Sequence, residues 1–116
     1  RFQTRNNIRA ARVEHLSQQL SMENTKKALY NEVQQVYLNT VSAKARYTSS
    51  LVARDSSEEA FRLTKAKYEN GKASITEFNE AKNDMLKSES DLSRAKYEYI
   101  YQMALIDFYC GKDLKF

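Results

Sequence analysis

The residue types that could carry chemistry gather in one short stretch, KYENGKASITEFNEAK, at residues 67–82. Glu77 and Glu80 stand three positions apart, which places both carboxylates on one face of a helix. A carboxylate pair of this kind could serve general acid and base catalysis, yet solvent exposure would also account for both residues. Ser74 and Glu77 also have the spacing of a capping box, so a structural role accounts for these two residues as well.

Elsewhere the sequence lacks the sets of residues that catalysis or metal binding requires. His15 is the only histidine and has no ligand residues at metal-binding spacing, so we expect a surface histidine. Cys110 is the only cysteine and cannot form an internal disulfide; its apolar neighbours indicate a small packing residue. Gly71 belongs to a turn, not to a phosphate-binding loop. The sequence therefore predicts no enzyme, no metal site and no cofactor.

The composition favours long paired helices over a β-sandwich or an α/β enzyme. The 116 residues include two glycines and no proline, with 41% hydrophobic and 29% charged residues. The apolar residues form thin stripes between charged ones, which is too little to fill a thick core. We expect one structural unit over residues 1–116.

The first predicted element is a helix over about residues 4–69. No glycine or proline interrupts this stretch, and its larger apolar residues recur at steps of three and four. They are Val13, Leu16, Leu20, Leu29, Val33, Val36, Tyr47 and Leu51. Such a narrow stripe packs against a partner helix, as in a coiled coil, and a helix of this length would extend roughly 100 Å.

Residues 65–77 predict a tight turn between two helices. Lys65 and Lys67 suit the negative end of a helix, and Asn70 and Gly71 tolerate the left-handed conformation of a C-cap. After them, the hydroxyl of Ser74 is expected to accept a hydrogen bond from the backbone of residue 77, whose side chain returns a bond to the backbone of residue 74. A second helix should therefore begin at about residue 75.

The second predicted helix spans about residues 75–110 and ends at Gly111. Its stripe consists of Phe78, Met85, Leu92, Ala95, Tyr99 and Ile106. The fold class is thus all-α, an antiparallel helical hairpin with unequal arms. Roughly 25 residues at the start of the first helix would lack a partner in this chain, which predicts a larger parent protein or an oligomer.

Two local patterns allow other structures. The residues that begin at Asp55, DSSEE, could cap a new helix and fold the long arm into a three-helix bundle. Tyr97, Tyr99 and Tyr101 alternate as in a strand, although helical spacing on their N-terminal side and the lack of turn residues favour a helix.

Basic residues concentrate in the first part of the chain. Residues 1–54 contain nine lysines and arginines against three acidic residues, whereas residues 55–116 contain ten against twelve. Arg1, Arg5, Arg9 and Arg12 recur at helical spacing and share one face, which could contact lipid or nucleic-acid phosphates or be merely solvated. Because no platform of several aromatic side chains is interleaved with these arginines, we expect no nucleic-acid partner.

Two segments resemble the TolC family of outer-membrane efflux proteins. Residues 68–111, YENGKASITEFNEAKNDMLKSESDLSRAKYEYIYQMALIDFYCG, are similar to the C-terminal repeat of the family, with its Tyr-x-x-Gly, its following Ser/Thr and acids, and its closing glycine. Residues 1–20, RFQTRNNIRAARVEHLSQQL, resemble the family segment in which an outer-membrane strand continues into a long periplasmic helix. The similarity covers nearly the whole chain.

The resemblance implies a segment of a trimeric channel in the cell envelope of a Gram-negative bacterium. In such a protein a β-barrel in the outer membrane continues into a helical barrel that crosses the periplasm, and this chain would be one periplasmic hairpin. The trimer would work with a periplasmic adaptor, that is, a membrane fusion protein, and an inner-membrane pump. Arg1, Arg5 and Arg9 would then lie close to lipid phosphates.

The same resemblance assigns roles to the turn. Tyr68, Glu77 and Glu80 match the pore constriction of the family, although Tyr68 could instead pack the end of the hairpin, as aromatic residues at helix ends often do. Asn70, Gly71, Lys72 and Ser74 match the tip that docks the adaptor. Ala73 departs from the pattern, because some members carry an arginine there that bonds across the closed entrance. As an alternative function, a coiled-coil scaffold inside the cell or a basic membrane-binding helical domain would also account for the stripe and the arginine face.

Overall fold

The computed structural model describes the backbone of residues 2–114 and the side chains of residues 2–111. It contains two helices, α1 over Phe2–Glu69 and α2 over Ile75–Leu114, joined by a turn at residues 70–74. Within the described residues the structure contains no strand, so the tyrosines of the 97–101 region lie in α2. The predicted all-α hairpin is confirmed.

The predicted bounds of the helices differ from the observed ones at two places. α1 already includes Phe2, two residues before its predicted start. α2 continues through Gly111 to Leu114 instead of ending at residue 110. The reason is that a glycine ends a helix when it adopts a left-handed conformation, and Gly71 is the only described glycine with positive φ. Gly111 stays in the helix, at a cost in helix propensity of about 1 kcal/mol.

The alternative of a helix break at Asp55 is wrong, since α1 runs through this region unbroken. The charged residues here pair with one another along the helix instead of capping a new one. Arg54 contacts Asp55 at 2.9 Å and Glu58 at 4.0 Å, and Arg62 contacts Glu59 at 2.6 Å. Arg54 and Glu58 stand four residues apart, and Glu59 and Arg62 stand three apart. Ion pairs at these spacings stabilise a helix by a few tenths of a kcal/mol each.

The chain divides into two compact units, Arg1–Gln35 and Val36–Phe116. In the first unit, every described residue from 2 to 28 is exposed, while Leu29 and Val33 are half-buried. The stripe members Val13, Leu16 and Leu20 are thus uncovered, as the unequal arms predict. Single helices gain most of their stability from packing an apolar face, so this segment is adapted to contact another chain segment or molecule.

In the second unit, the two arms pack along a continuous seam of half-buried and buried residues. From α1 the seam takes Val36, Thr40, Ala43, Tyr47, Ser50, Arg54, Ser57, Phe61 and Thr64, and from α2 it takes Phe78, Ala81, Met85, Ser88, Leu92, Ala95, Tyr99, Gln102, Ile106 and Tyr109. Both series alternate steps of three and four without interruption, which is the heptad pattern of a coiled coil. The α2 series contains every residue of the predicted stripe.

Small and large residues alternate along this seam. One heptad position of α1 carries Ala43, Ser50, Ser57 and Thr64, and one of α2 carries Ala81, Ser88 and Ala95. The hydroxyls of Ser57 and Ser88 hydrogen-bond across the seam, so the small positions of the two antiparallel arms lie level with each other. Ala43 and Ala95 are the described residues with the least exposure, at 1% and 7%. Small side chains thus occupy the most enclosed described positions of the seam, and they allow direct hydroxyl contact between the arms at Ser57 and Ser88.

Larger side chains and one ion pair fill the layers between the small ones. The rings of Tyr47 and Tyr99 lie 5.9 Å apart. Beside them Arg46 donates a hydrogen bond to Glu98 at 2.5 Å, with both side chains partly exposed. Exposed pairs of this kind contribute about 1 kcal/mol or less to the free energy of unfolding, so this pair mainly supports the register of the two arms.

In residues 2–114, neither helix has a stretch that is long, apolar and uncharged enough to cross a membrane.

Candidate functional site at the hairpin tip

The end of α1 forms a Schellman motif. The backbone N–H of Lys72 donates to the carbonyl of Lys67 at 2.7 Å, and the N–H of Gly71 donates to the carbonyl of Tyr68 at 3.0 Å. Gly71 has φ of +73°, a conformation in which a Cβ would be strained. The motif satisfies carbonyls that the helix end leaves open, and it confirms the predicted C-cap.

The start of α2 is held by the predicted capping box. The backbone N–H of Glu77 donates to Ser74 Oγ at 3.1 Å, and the backbone N–H of Ser74 donates to Glu77 Oε2 at 3.3 Å. The carbonyl of Ser74 accepts the first helical bond, from Phe78 at 3.0 Å. With a Schellman motif on one side and a capping box on the other, the turn has a defined backbone conformation despite its short length.

An aromatic cluster packs beneath the turn. The ring of Phe78 lies 5.0 Å from the ring of Tyr68 and 5.4 Å from the ring of Phe61. Phe61 and Phe78 are half-buried, and Tyr68 is 39% exposed. Aromatic pairs at such distances are favourable by about 0.5–1.5 kcal/mol beyond the area they bury. Tyr68 therefore joins the two arms at the tip.

The two glutamates line an open groove of about 440 Å³ on the second unit. Its other lining residues are Ser57, Ala60, Thr64, Lys67, Ala73, Ala81 and Asp84. Small residues form much of this groove, whereas its charges come from three acids and one lysine. Both Glu77 and Glu80 are exposed, so their carboxylates are accessible to solutes.

The structure groups the candidate pore residues differently from the sequence. Glu77 and Glu80 share the groove, while Tyr68 packs in the aromatic cluster and is not among the residues that line the groove. Sequence reasoning missed Asp84, which continues the spacing of three and four from the glutamates and so lies on the same helical face. It also missed the groove position of Lys67, which depends on how the arms pair.

The remaining residues of the turn face solvent. Asn70, Gly71, Lys72 and Ser74 are exposed, and a Cβ built on Gly71 meets no atom within 4 Å. Ala73 is half-buried and lines the groove. The tip thus offers accessible backbone and short side chains, which a partner could approach closely.

The sequence also led to expectations for three residues that lie far from the tip. His15 is exposed, as expected. Cys110 is a free cysteine and exposed, so the expectation of a packing residue is wrong: it lies next to the seam residue Tyr109, outside the heptad series. Arg1 lies outside the described residues. Among residues 2–111, whose side chains the structure describes, there is no group of three or more histidine, cysteine or acidic side chains that could hold a metal ion.

The fold is compatible with a part of a larger assembly, and a comparison with known families identifies the class of protein. A long antiparallel hairpin with a heptad seam, an exposed first segment and a capped acidic tip is a structural element built to pack beside others. Residues 1–111 match the family model for outer membrane efflux proteins, and the chain therefore belongs to that family. No curated protein and no solved structure was found to match the chain. The chain is a component of an outer-membrane efflux protein.

Proposed function

We propose that this chain forms the periplasmic hairpin and entrance segment of a trimeric, TolC-like outer-membrane efflux channel. In this function it performs no catalysis and binds no cofactor. The hairpin lines a passage across the periplasm, and its tip docks a periplasmic adaptor that connects the channel to an inner-membrane pump. The family match over residues 1–111 supports the channel, and the capped tip is the observation that carries the entrance.

The acidic groove supports a role of Glu77 and Glu80 at the constriction. Both carboxylates are exposed on one face of the first two turns of α2, with Asp84 one turn further along. Three-fold symmetry would repeat these acids as rings around a central axis, and rings of carboxylates favour cations over anions. The constriction is then cation-selective and sensitive to divalent ions.

Tyr68 has a different role in this proposal. Its ring packs on Phe78, and its exposed part lies at the end of α1. Tyr68 therefore sets the angle at which the turn leaves the helix, and through the turn it positions the acids of α2. It borders the constriction and supports the residues that select ions.

The adaptor-docking role belongs to the exposed turn residues Asn70, Gly71, Lys72 and Ser74. The left-handed Gly71 has open space around it, so a partner backbone can approach without displacing a side chain. Lys72 adds one positive charge beside this approach. The Schellman motif and the capping box hold the turn in place before a partner binds, which lowers the entropic cost of docking.

The test is ion conductance of the full-length parent protein in a planar bilayer, with the native sequence and with Glu77→Gln/Glu80→Gln. Glutamine can keep the capping box, so this variant removes charge and preserves the turn. We expect a small cation-selective conductance that rises or loses its selectivity in the variant. A variant that conducts like the native protein would leave the channel in place and reduce both glutamates to structural roles.

A matched control removes two acids from elsewhere on α2. Glu89→Gln/Asp107→Asn makes the same charge change at exposed positions away from the groove. We expect this control to conduct as the native protein does. If a correctly folded parent shows no conductance at all, the channel proposal fails.

A further inference from the structure

A second groove, of about 440 Å³, lies along the seam of the second unit, between residues 45–50 of α1 and residues 91–98 of α2. We call it the shaft groove. Two arginines and two acids line it, and its other lining residues are alanines and serines. Its volume is within the range of small-molecule sites in proteins. None of its residues takes part in the turn or in the groove at the tip.

One pair of opposite charges in the shaft groove is closed, and the other is open. Arg46 donates a hydrogen bond to Glu98 at 2.5 Å across the seam. Asp91 and Arg94 stand three residues apart on α2, a spacing that permits an ion pair. Within residues 2–111, however, neither of them forms an ion pair or a side-chain hydrogen bond. One carboxylate and one guanidinium therefore remain available to a ligand.

Two serine hydroxyls beside these charges are also unused. Ser49 is exposed and Ser50 is half-buried, and among the described side chains neither hydroxyl has a hydrogen-bond partner. The hydroxyl of Thr48, the preceding residue, instead donates to a backbone carbonyl of its own helix at 3.0 Å. Because a hydroxyl can both donate and accept, the two serines can bond to a carboxylate or to an ammonium group.

The lining between the charged groups is apolar. Ala95 is 7% exposed, and Ala45 lines the groove from the other arm. Their methyl groups are short, so a carbon chain can lie over them along the seam. Covering this surface removes apolar area from water, which favours binding of an alkyl chain.

The balance of charges in the shaft groove selects against ligands with a single charge. An anion at Arg94 would also meet the carboxylates of Asp91 and Glu98, and a cation at Asp91 would meet two guanidinium groups. A ligand that carries both charges gains both attractions, and each of its ends offsets the repulsion that the other end meets.

We propose that the shaft groove binds small zwitterionic compounds that carry a carboxylate and an ammonium group at the two ends of an alkyl chain. The guanidinium of Arg94 donates to the carboxylate, a pairing that is strong because both N–H groups of its fork can take part. Asp91 accepts from the ammonium group, the alkyl chain covers Ala45 and Ala95, and the serine hydroxyls complete the hydrogen bonds.

The shaft groove lies on the same side of the hairpin as the groove at the tip. Its α2 residues continue the steps of three and four that the acids of the tip groove begin, in the series Glu77, Glu80, Asp84, Lys87, Asp91, Arg94 and Glu98. Zwitterions in the passage would therefore meet this site after the acidic entrance. This last step rests on the proposed function, whereas the binding itself depends on the second unit alone.

The experiment is an NMR titration of the full chain with 6-aminohexanoate, followed through the backbone amide resonances. We expect shifts at residues 45–50 and 91–98, with a dissociation constant on the order of 1 mM, a modest affinity that suits a ligand with few atoms. Hexanoate and hexylammonium each lack one charged end. Both should bind about fivefold more weakly, because an exposed ion pair contributes up to about that factor. Equal binding of either compound would overturn the proposal.

A pair of variants tests the two open charges. Asp91→Asn/Arg94→Gln removes both without changing the net charge, and we expect the affinity to fall by roughly 25-fold, about fivefold for each contact. The matched control Glu89→Gln/Lys96→Gln makes the same kind of change at exposed positions of α2 outside the shaft groove, and it should bind as the native chain does. The proposal fails if both variants bind alike. Circular dichroism checks that their helix content is unchanged.

A third variant separates this site from the role of the tip. Neither Glu77 nor Glu80 lines the shaft groove, so Glu77→Gln/Glu80→Gln should leave the titration unchanged, whatever its effect on conductance. A loss of binding in this variant would place the ligand at the tip and overturn the proposal.

Discussion

Ser74 and Glu77 hydrogen-bond reciprocally, each backbone N–H donating to the side-chain oxygen of the other residue at 3.1 and 3.3 Å. Glu77 thus caps the start of α2 and at the same time lines the groove. One oxygen of its carboxylate accepts from the backbone of residue 74, yet the residue stays exposed on the wall of the groove. A carboxylate fixed in this way keeps its charge in one place, which suits the selective constriction that we propose.

Removing the cap should destabilise the second unit. Ser74→Ala leaves the N–H of residue 77 without its partner, and we expect the free energy of unfolding to fall by about 1 kcal/mol. Ser74→Asp retains an acceptor and should be nearly neutral. Urea unfolding followed by circular dichroism measures both variants, and equal stability of the alanine and native proteins would contradict the role of the cap.

The two glycines should respond to alanine with opposite signs. Gly71 has φ of +73° and open space around it, so Gly71→Ala costs about 1–2 kcal/mol through backbone strain and not through a clash. Gly111 is helical and equally unobstructed, so Gly111→Ala should stabilise α2 by up to about 1 kcal/mol. Thermal unfolding of the two variants compares them directly. A stabilising effect at residue 71 would show that the turn is not left-handed.

A large side chain at a small position of the seam should force the arms apart. Ala95 is 7% exposed, and Ala95→Leu is expected to destabilise the hairpin by about 1–3 kcal/mol through overpacking. Ala104→Leu adds the same atoms at an exposed site of the same helix and should stay within about 0.5 kcal/mol of the native protein. The comparison fails to support close packing if both variants unfold at the same urea concentration.

Docking of the tip can be tested by cross-linking. Cys110 is exposed, so a Cys110→Ser background is needed before a new thiol is introduced. In the full-length parent we expect Lys72→Cys to cross-link to the periplasmic adaptor and Lys87→Cys, on the shaft of α2, to cross-link far less. Equal cross-linking from both sites would contradict docking by the tip.

The ion pair of Glu59 and Arg62 should be visible in a pH titration. Hydrogen bonds from Arg62 at 2.6 and 3.0 Å lower the pKa of Glu59 below its ordinary value, and its charge acts in the same direction. A lowered folded pKa means that the contribution of the pair to stability is present above the pKa of an unfolded glutamate and is lost as the pH falls through the folded pKa. NMR titration should show the pKa of Glu59 rising in Arg62→Gln but not in the control Arg54→Gln. An unchanged pKa in the first variant would show that the pair does not persist in solution.

Much of the fold could be predicted because its signals are local. The C-cap at Asn70 and Gly71 and the capping box at Ser74 and Glu77 depend on residue types within a few positions of each other. The stripe of α2 follows from its spacing alone. Such features are determined by the chain near each residue, and they were predicted correctly.

The features that the sequence did not predict depend on conformation or on the other arm. Gly111 can end a helix or continue one, and its residue type does not decide between them. For Tyr68 the sequence left packing at the hairpin end as one of two roles, and that Phe78 is its partner follows from the register of the two arms. The position of Lys67 in the groove depends on the same register. Only Asp84 had a local signal, its spacing from Glu80.

The repeat of small residues in the seam has a consequence for the turn. If α2 slid along α1 by seven residues, about 10 Å, Ser57 would again meet a small residue, Ala81 or Ala95. The small residues in this part of the seam therefore do not by themselves determine the alignment of the arms. The turn has only five residues, 70–74, which is too few to permit such a slip. The length of the turn therefore fixes the alignment of the two arms. A longer loop at this point would loosen the alignment of every layer along both arms.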